Sequence, residues 1–293
     1  MKKNPLLLYV AGIAAAASLL FVACSKNTSA SSVPAGQQSI SLYMADGPGF
    51  FDHVFLDVKS IEVLVDTSKN TRAHDNSNWV YIGSRVKAPD SSFVWDNLST
   101  VAGEYDLLQL RNGIDTSLGT AMVHAGSIRL IRIDLGTNNY FVKDSIKYPL
   151  QLPPGTPSYI LIRLLGNEWE QYANGHYRLW LDFDIQRSIV QLNNNAFYLI
   201  PYLKAFIVSK TGTIAGTLAP PAAWPEIVTL YNATDTAYAL PNRDGTFKVR
   251  GLNDGTYSMF VNASNGYRDT TINNITISNA NSVSVGTVTL LRK

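Results

Sequence analysis

Apolar and polar residues alternate along most of the chain with the two-residue period of a half-buried strand. Ile40, Leu42 and Met44 alternate with Ser41, Tyr43 and Ala45, then run into the turn signal Asp46-Gly47-Pro48-Gly49. Val54, Leu56 and Val58 alternate next, and Ile61, Val63 and Val65 continue with the opposite parity. A strand changes phase only at an irregularity, so a β-bulge or bend is predicted at Lys59-Ser60. Further strands are predicted at 128–135, 159–165, 178–185 and 198–208, with Asn174-Gly175 as a hairpin turn. The one place for a helix is 94–110, where Gly103 weakens it. After Ser209 the composition turns to Thr, Asn, Gly and Val, with strands predicted at 213–218 and 227–231. Asp244-Gly245 supplies a tight turn. Phe247, Val249 and Leu252, then Tyr257, Met259 and Val261, alternate inward on adjacent strands. The pattern predicts an all-β protein of two β-sandwich domains, residues 39–209 and 210–293.

The N-terminus breaks this pattern. Lys2 and Lys3 precede 18 residues, Leu6 to Ala23, that are apolar or small throughout. That is the layout of a secretory signal, residues 1–23, and the alternative is an uncleaved anchor. The Ala-rich middle is weakly apolar for a permanent span, and the only cysteine, Cys24, stands at its exit. Phe21-Val22-Ala23-Cys24 resembles the lipobox of bacterial lipoproteins, with Phe21 in place of the usual Leu. The resemblance implies a Cys24 that is acylated, becomes the new N-terminus and holds the protein to the membrane; two or more acyl chains make such attachment effectively permanent. Ser25 follows the cysteine, and no Asp is there to imply inner-membrane retention, so an outer-membrane anchor is expected, on either its periplasmic or its surface face. Residues 24–38, rich in Ser, Ala and Gly, read as a flexible tether.

Composition narrows the function classes. Of 293 residues, 46% are hydrophobic and 16% charged, which places the chain among folded proteins. Setting Lys2 and Lys3 aside leaves 22 basic against 22 acidic residues, so a nucleic-acid or anionic-surface partner is not expected. One cysteine excludes an internal disulfide and every cysteine-based zinc or iron–sulfur site. His53, His74, His124 and His176 are too scattered for a zinc helix of the H-E-x-x-H type. No cofactor, metal site or catalytic residue is assigned.

Two stretches resemble known families. Ser41-Leu42, Ala45 to Pro48, Val54 to Val63, Asp106-Leu107-Leu108, Asn112-Gly113, Leu181 to Asp184 and Ser188 to Val190 together resemble the domain of unknown function 4382, common in lipoproteins of Bacteroidetes and other bacteria. The resemblance covers about 39–209 and implies no activity. Asp244 to Phe247 followed by Gly251 to Tyr257 resemble the carboxypeptidase regulatory-like domain, a small transthyretin-like (prealbumin-like) sandwich. It covers about 212–293 and implies an accessory module without catalytic residues.

Two candidate sites stand out. The stretch Gly166 to Tyr177 concentrates Glu168, Trp169, Glu170, Tyr172 and His176, aromatic faces beside polar groups that suit a glycan or a peptide. The bland alternative is a hairpin whose rings cover the sheet. Asp182 and Asp184 stand two apart on a predicted strand, about 7 Å apart at Cα, and suit glycoside hydrolysis, calcium or simply a solvated face. Asp75, Asn76 and Asn78 lack a full calcium-loop pattern. The expected function is a non-catalytic envelope lipoprotein that binds a glycan or an envelope protein. An adhesin or fimbria-like subunit is the first alternative, although its first Arg after Cys24 is Arg72, beyond the first strand. A glycan-acting enzyme using paired carboxylates is the second.

Overall fold

The computed structural model describes residues 32–46, 51–68, 92–164, 168–192, 196–224 and 227–293. Cys24, the turn after Asp46 and the polar loop of Asp75, Asn76 and Asn78 lie outside them. Val33–Lys293 form one compact unit. No helix among the described residues is long and apolar enough to cross a membrane.

The protein is all-β, as two sandwiches. In the first, one sheet runs Glu170–Ala173, His176–Phe183, Gln37–Asp46, Thr116–His124 and Ser99–Thr100, with Leu203–Phe206 also paired to His176–Phe183. Its centre is unusual for a small sandwich: Gln37–Asp46 pairs in parallel with His176–Phe183, setting Ala45 opposite Asp182 and Asp46 opposite Phe183. The facing sheet is built on the long strand His53–Asp66, which pairs with Ser127–Leu135, Tyr140–Lys143, Phe93–Asn97 and Gly103–Asp106. Alternation explains the layering. Ile40, Leu42 and Met44 point from one sheet, and Val54, Leu56, Val58, Ile61, Val63 and Val65 from the other, into one core. Each such side chain removed from water contributes roughly 1.5–3 kcal/mol.

The phase change in His53–Asp66 is a β-bulge. Val58 pairs with Leu135 but Ser60 with Asp134, so Lys59 is the extra residue. A second irregularity follows on the partner strand: Leu64 pairs with Leu130 and Val65 with Ile128, leaving Arg129 as the extra residue there. Two expectations differ from the structure. Residues 94–110 form strands and a single 3-10 turn, Leu107–Leu110, because pairing with His53–Asp66 satisfies their backbone and Leu107, Leu108 and Leu110 drop into the core. The stretch 198–208 is two strands in different sheets, Phe197–Leu199 and Leu203–Phe206, broken at Ile200-Pro201 because proline has no N–H for a ladder.

The second sandwich packs a three-stranded sheet (Thr246–Leu252, Gly212–Ala219, Ser282–Thr289) on a four-stranded one (Thr236–Ala239, Ile227–Tyr231, Gly255–Asn262, Thr270–Ile277). Its core is separate and contains Phe247, Val249, Leu252, Tyr257, Met259 and Val261. Gly245 takes a φ of +83°, and a Cβ there would stand 2.0 Å from the Leu218 carbonyl oxygen, so only glycine closes this turn.

The two cores do not merge, but polar ties cross between them. Arg250 donates to Asp115 (2.9 Å), Lys204 to Asp235 (2.8 Å), and Asn112 to the Leu240 carbonyl (3.1 Å). The Phe206 ring lies against Gly251, where a Cβ would come within 3.0 Å of it. Residues 39–209 and 212–293, expressed separately, are each expected to unfold cooperatively. Their summed stability should fall short of the intact chain's, because these ties are lost. Aggregation or molten behaviour of either fragment alone would show that the division is wrong.

Candidate functional sites

The hairpin Glu170–Ala173 and His176–Phe183 divides its candidate residues between roles. Arg178 grips Glu170 at two points, Nε to Oε2 at 2.9 Å and Nη2 to Oε1 at 3.2 Å. That grip is the main reason the Glu170 carboxyl is held below its usual range. The same guanidinium lies 5.0 Å from the Tyr172 ring centre. Tyr172 is 48% exposed and tilts against buried His176, with ring centres 5.8 Å apart. Glu168 is half-buried. Tyr172 is therefore the ring that projects.

Trp169 turns the other way. It joins the main core, 8% exposed, and among the described residues its indole Nε1 has no hydrogen-bond partner. The ring lines a cavity of about 200 Å³ with Gln38, Gly126, Ser127, Ile128 and Tyr177. Gln38 is pinned there by donating Nε2 to the Gly126 carbonyl at 3.0 Å. A buried N–H without an acceptor costs about 1–3 kcal/mol; this one is closed off from water-sized groups, so a ligand in the cavity reaches it only if the wall shifts.

The acidic pair is also split. Asp184 leaves the strand to cap the short helix Ile185–Ser188, accepting from Arg187 N at 3.0 Å and pairing with Arg187 Nε at 3.3 Å. Asp182 stays on the sheet and is half-buried, so it is not on the solvated face that alternation alone suggests. The second sandwich covers that face. Burial is the first cause that pushes the Asp182 carboxyl up to about 6; neighbouring Asp184 adds to it, and Lys204 opposes it.

Sequence reasoning missed a third carboxylate. Asp46 ends its strand one position past Ala45, the residue opposite Asp182, and had the look of an ordinary turn residue. It is 8% exposed, and among the described residues neither carboxylate oxygen has a hydrogen-bond partner. Burial, then Asp182, Asp184 and Asp106, hold its pKa well above the ordinary value, against an opposing contribution from Arg111. Asp46, Asp182 and Asp184 line a cleft whose other wall is Thr236 to Ala239 and Lys248 to Arg250 of the second sandwich. A protonation signal was absent from the sequence because it depends on which strand lies alongside.

Two of the histidines each meet a carboxylate: His53 Nδ1 lies 2.7 Å from Asp106 and His124 Nδ1 lies 3.0 Å from Asp96. Among the described residues no three His, Cys, Asp or Glu side chains are grouped to hold a metal ion.

The model of the family described as domain of unknown function DUF4382 matches residues 37–201. The chain belongs to that family. The DUF4382 domain thus contains Trp169, Glu170, His176, Asp46, Asp182 and Asp184, while the opposite wall of the acid-lined cleft, from Thr236 onward, lies outside the match. No curated protein matches the chain. Among solved structures it is similar to the shaft pilin SpaA from Lactobacillus rhamnosus GG, at 11% identity over 88% of this chain and 98% of that one, with a TM-score of 0.24. It is also similar to the Bacillus anthracis TIE protein, at 11% identity over 88% of this chain and 34% of that one, TM-score 0.20. A chain of a type II cohesin–X-dockerin complex from Acetivibrio cellulolyticus matches at 17% identity, 28% of this chain and TM-score 0.23; the match spans 58% of that chain's length.

Proposed function

We propose that the protein is a cell-envelope lipoprotein, held at the outer membrane by an acylated Cys24, whose DUF4382 domain binds a glycan or protein ligand without transforming it. The observation that carries binding is the cavity of about 200 Å³ walled by the Trp169 ring, whose buried indole N–H lacks an acceptor among the described residues. Gln38, Ser127 and Tyr177 add polar groups around an otherwise apolar wall, the composition of a recognition pocket. Non-catalytic action is supported by the carboxylates: Glu170 is tied to Arg178 and Asp184 to Arg187, which leaves neither as a free acid or base. The anchor is supported by the order of Lys2, Lys3, the apolar stretch and Cys24. The C-terminal sandwich serves as an accessory module that walls one side of the acid-lined cleft.

The test has two arms. Cys24→Ala is expected to abolish labelling with a radioactive fatty acid and to move the protein from the membrane to the soluble fraction; tight membrane retention of that variant would mean an uncleaved span. On glycan and peptide arrays the parent is expected to retain a defined ligand, and Trp169→Phe, which keeps an aromatic ring and removes the N–H, to weaken retention about tenfold, the effect of roughly one buried hydrogen bond. No hit for the parent, or equal retention by the variant, would return Trp169 to a packing role alone.

A further inference from the structure

The four-stranded sheet of the second sandwich turns one face to its core and the other to water. Leu230 and Met259 point inward, while their strand neighbours Tyr231 and Phe260 stand on the outer face. The strands that build this face, Thr236–Ala239, Ile227–Tyr231, Gly255–Asn262 and Thr270–Ile277, contain no Lys, Arg, Asp or Glu. The chain does not avoid charge in its strands generally, since His53–Asp66 carries Asp57, Lys59, Glu62 and Asp66. A solvent-facing sheet ordinarily uses such charges to stay soluble and unpaired, so their omission from a whole face calls for a cause.

Two rings stand among hydroxyls and amides on that face. Tyr231 is 40% exposed and sits opposite Ser258 in the ladder. Phe260 is half-buried and lies between Thr229 and Thr271. The two aromatic residues are diagonal neighbours on adjacent strands, roughly 7–8 Å apart at Cα. Asn262 is exposed at one end of the row, and at the other Thr256 Oγ1 and Thr276 Oγ1 meet at 3.4 Å.

We propose that this face binds a neutral polysaccharide, with Tyr231 and Phe260 as platforms for the C–H faces of its sugars. An aromatic ring offers an apolar surface to such a face, while the hydroxyls of Thr and Ser and the amide of Asn both donate to and accept from sugar hydroxyls. The strands supply no cation to attract a nucleic acid, an anionic lipid or an acidic glycan. A protein partner is selected against because the centre of a protein interface is mainly apolar, and here the rings are surrounded by hydroxyls and amides. The separation of the two rings selects a chain of sugars over a single one. The inference goes beyond the Trp169 reading: the face lies outside the DUF4382 match and shares no residue with the Trp169 cavity.

Native electrophoresis of the full chain in non-ionic detergent tests it, in gels containing pullulan, xylan, galactomannan or mixed-linkage β-glucan, with dextran sulfate and polygalacturonate as charged comparisons. At least one neutral polymer is expected to retard the parent. Tyr231→Ala and Phe260→Ala should each weaken that retardation about tenfold, the size of a lost ring contact, with little change in melting temperature. Trp169→Phe should be retarded like the parent, which separates this face from the Trp169 cavity. If Phe260→Ala does not fold, Tyr231→Ala carries the comparison. Retardation by none of the neutral polymers, by the charged polymers alone, or equally for the parent and Tyr231→Ala would each overturn the proposal. A parent that sediments as a dimer beside a monomeric Tyr231→Ala would overturn it too, and would assign the face to a second copy of the chain.

Discussion

Replacing Arg129 by Ala is expected to destabilise the first sandwich by about 3–5 kcal/mol, the loss typical when one partner of a buried ion pair is removed. Arg129 is 3% exposed and Asp66 0%, and Arg129 Nη2 stands 3.5 Å from Asp66 Oδ2. The pair sits where the bulge turns Arg129 out of the regular ladder, at the end of the long strand His53–Asp66. The backbone there is held too: Leu164 N donates to the Arg129 carbonyl at 2.8 Å, and Ser68 N to Asp66 Oδ1 at 3.0 Å. Truncation would leave an Asp66 carboxylate without its guanidinium and far from water. Urea unfolding would read the effect as a lower midpoint at unchanged slope. Arg129→Met combined with Asp66→Leu should recover most of the loss, since apolar side chains of similar volume replace a buried pair at little or no cost. A loss below about 1 kcal/mol in the single variant would mean that water reaches Asp66 once the arginine is gone.

The contrast between Lys59 and Arg129 shows what alternation along the chain reveals. At Lys59 the apolar series changes parity, so the bulge is visible in the residues themselves; at Arg129 the run Ile128 to Leu135 is apolar on both parities and hides its irregularity. The sandwich cores were legible for the same reason, because each inward residue belongs to a period of two. Outward faces were not. Alternation assigns Asp182 to the face away from the core, but whether that face meets water depends on a second sandwich some fifty residues later in sequence, and Thr236 to Ala239 stand there. Trp169 and Tyr172 lie three apart in one hairpin, yet one enters the core and the other stays 48% exposed. Asp46 looked like turn chemistry because its neighbours Gly47 and Pro48 are turn residues. Its burial comes from the parallel pairing of the first strand with His176–Phe183, a long-range choice that local sequence does not encode.

Asp182→Asn is expected to stabilise the protein near pH 7.5 by an amount on the order of 1–3 kcal/mol and to flatten its stability between about pH 4 and pH 6. The Asp182 carboxyl is pushed up to about 6 in the folded chain, chiefly by burial and then by Asp184. An unfolded aspartate titrates near 3.9, so within this window the folded state holds the proton more firmly than the unfolded one. Stability therefore falls as pH rises from about 4 to 6, by at most about 1.4 kcal/mol for each unit of pKa difference, less what residual contact with solvent screens. Above that window the penalty is fully present, and the neutral amide that Asp182→Asn introduces would not suffer it. Asp46 is shifted in the same direction by its own burial, so Asp46→Asn should act likewise. The two carboxyls repel one another, so removing either relieves the other, and the double variant should gain less than the sum of the singles. Glu170 runs the opposite way: Arg178 holds its carboxyl low, so the stability it contributes is lost only as pH falls through and below the ordinary carboxylate range. Subtracting the parent's profile from the variant's isolates Asp182, because Glu170 is common to both. Unfolding free energies from urea titrations at pH 4, 5, 6 and 7.5 give the comparison directly. Parallel profiles for parent and Asp182→Asn would mean that Asp182 is as well solvated in the folded chain as in the unfolded one, and that its burial beside the second sandwich carries no electrostatic cost.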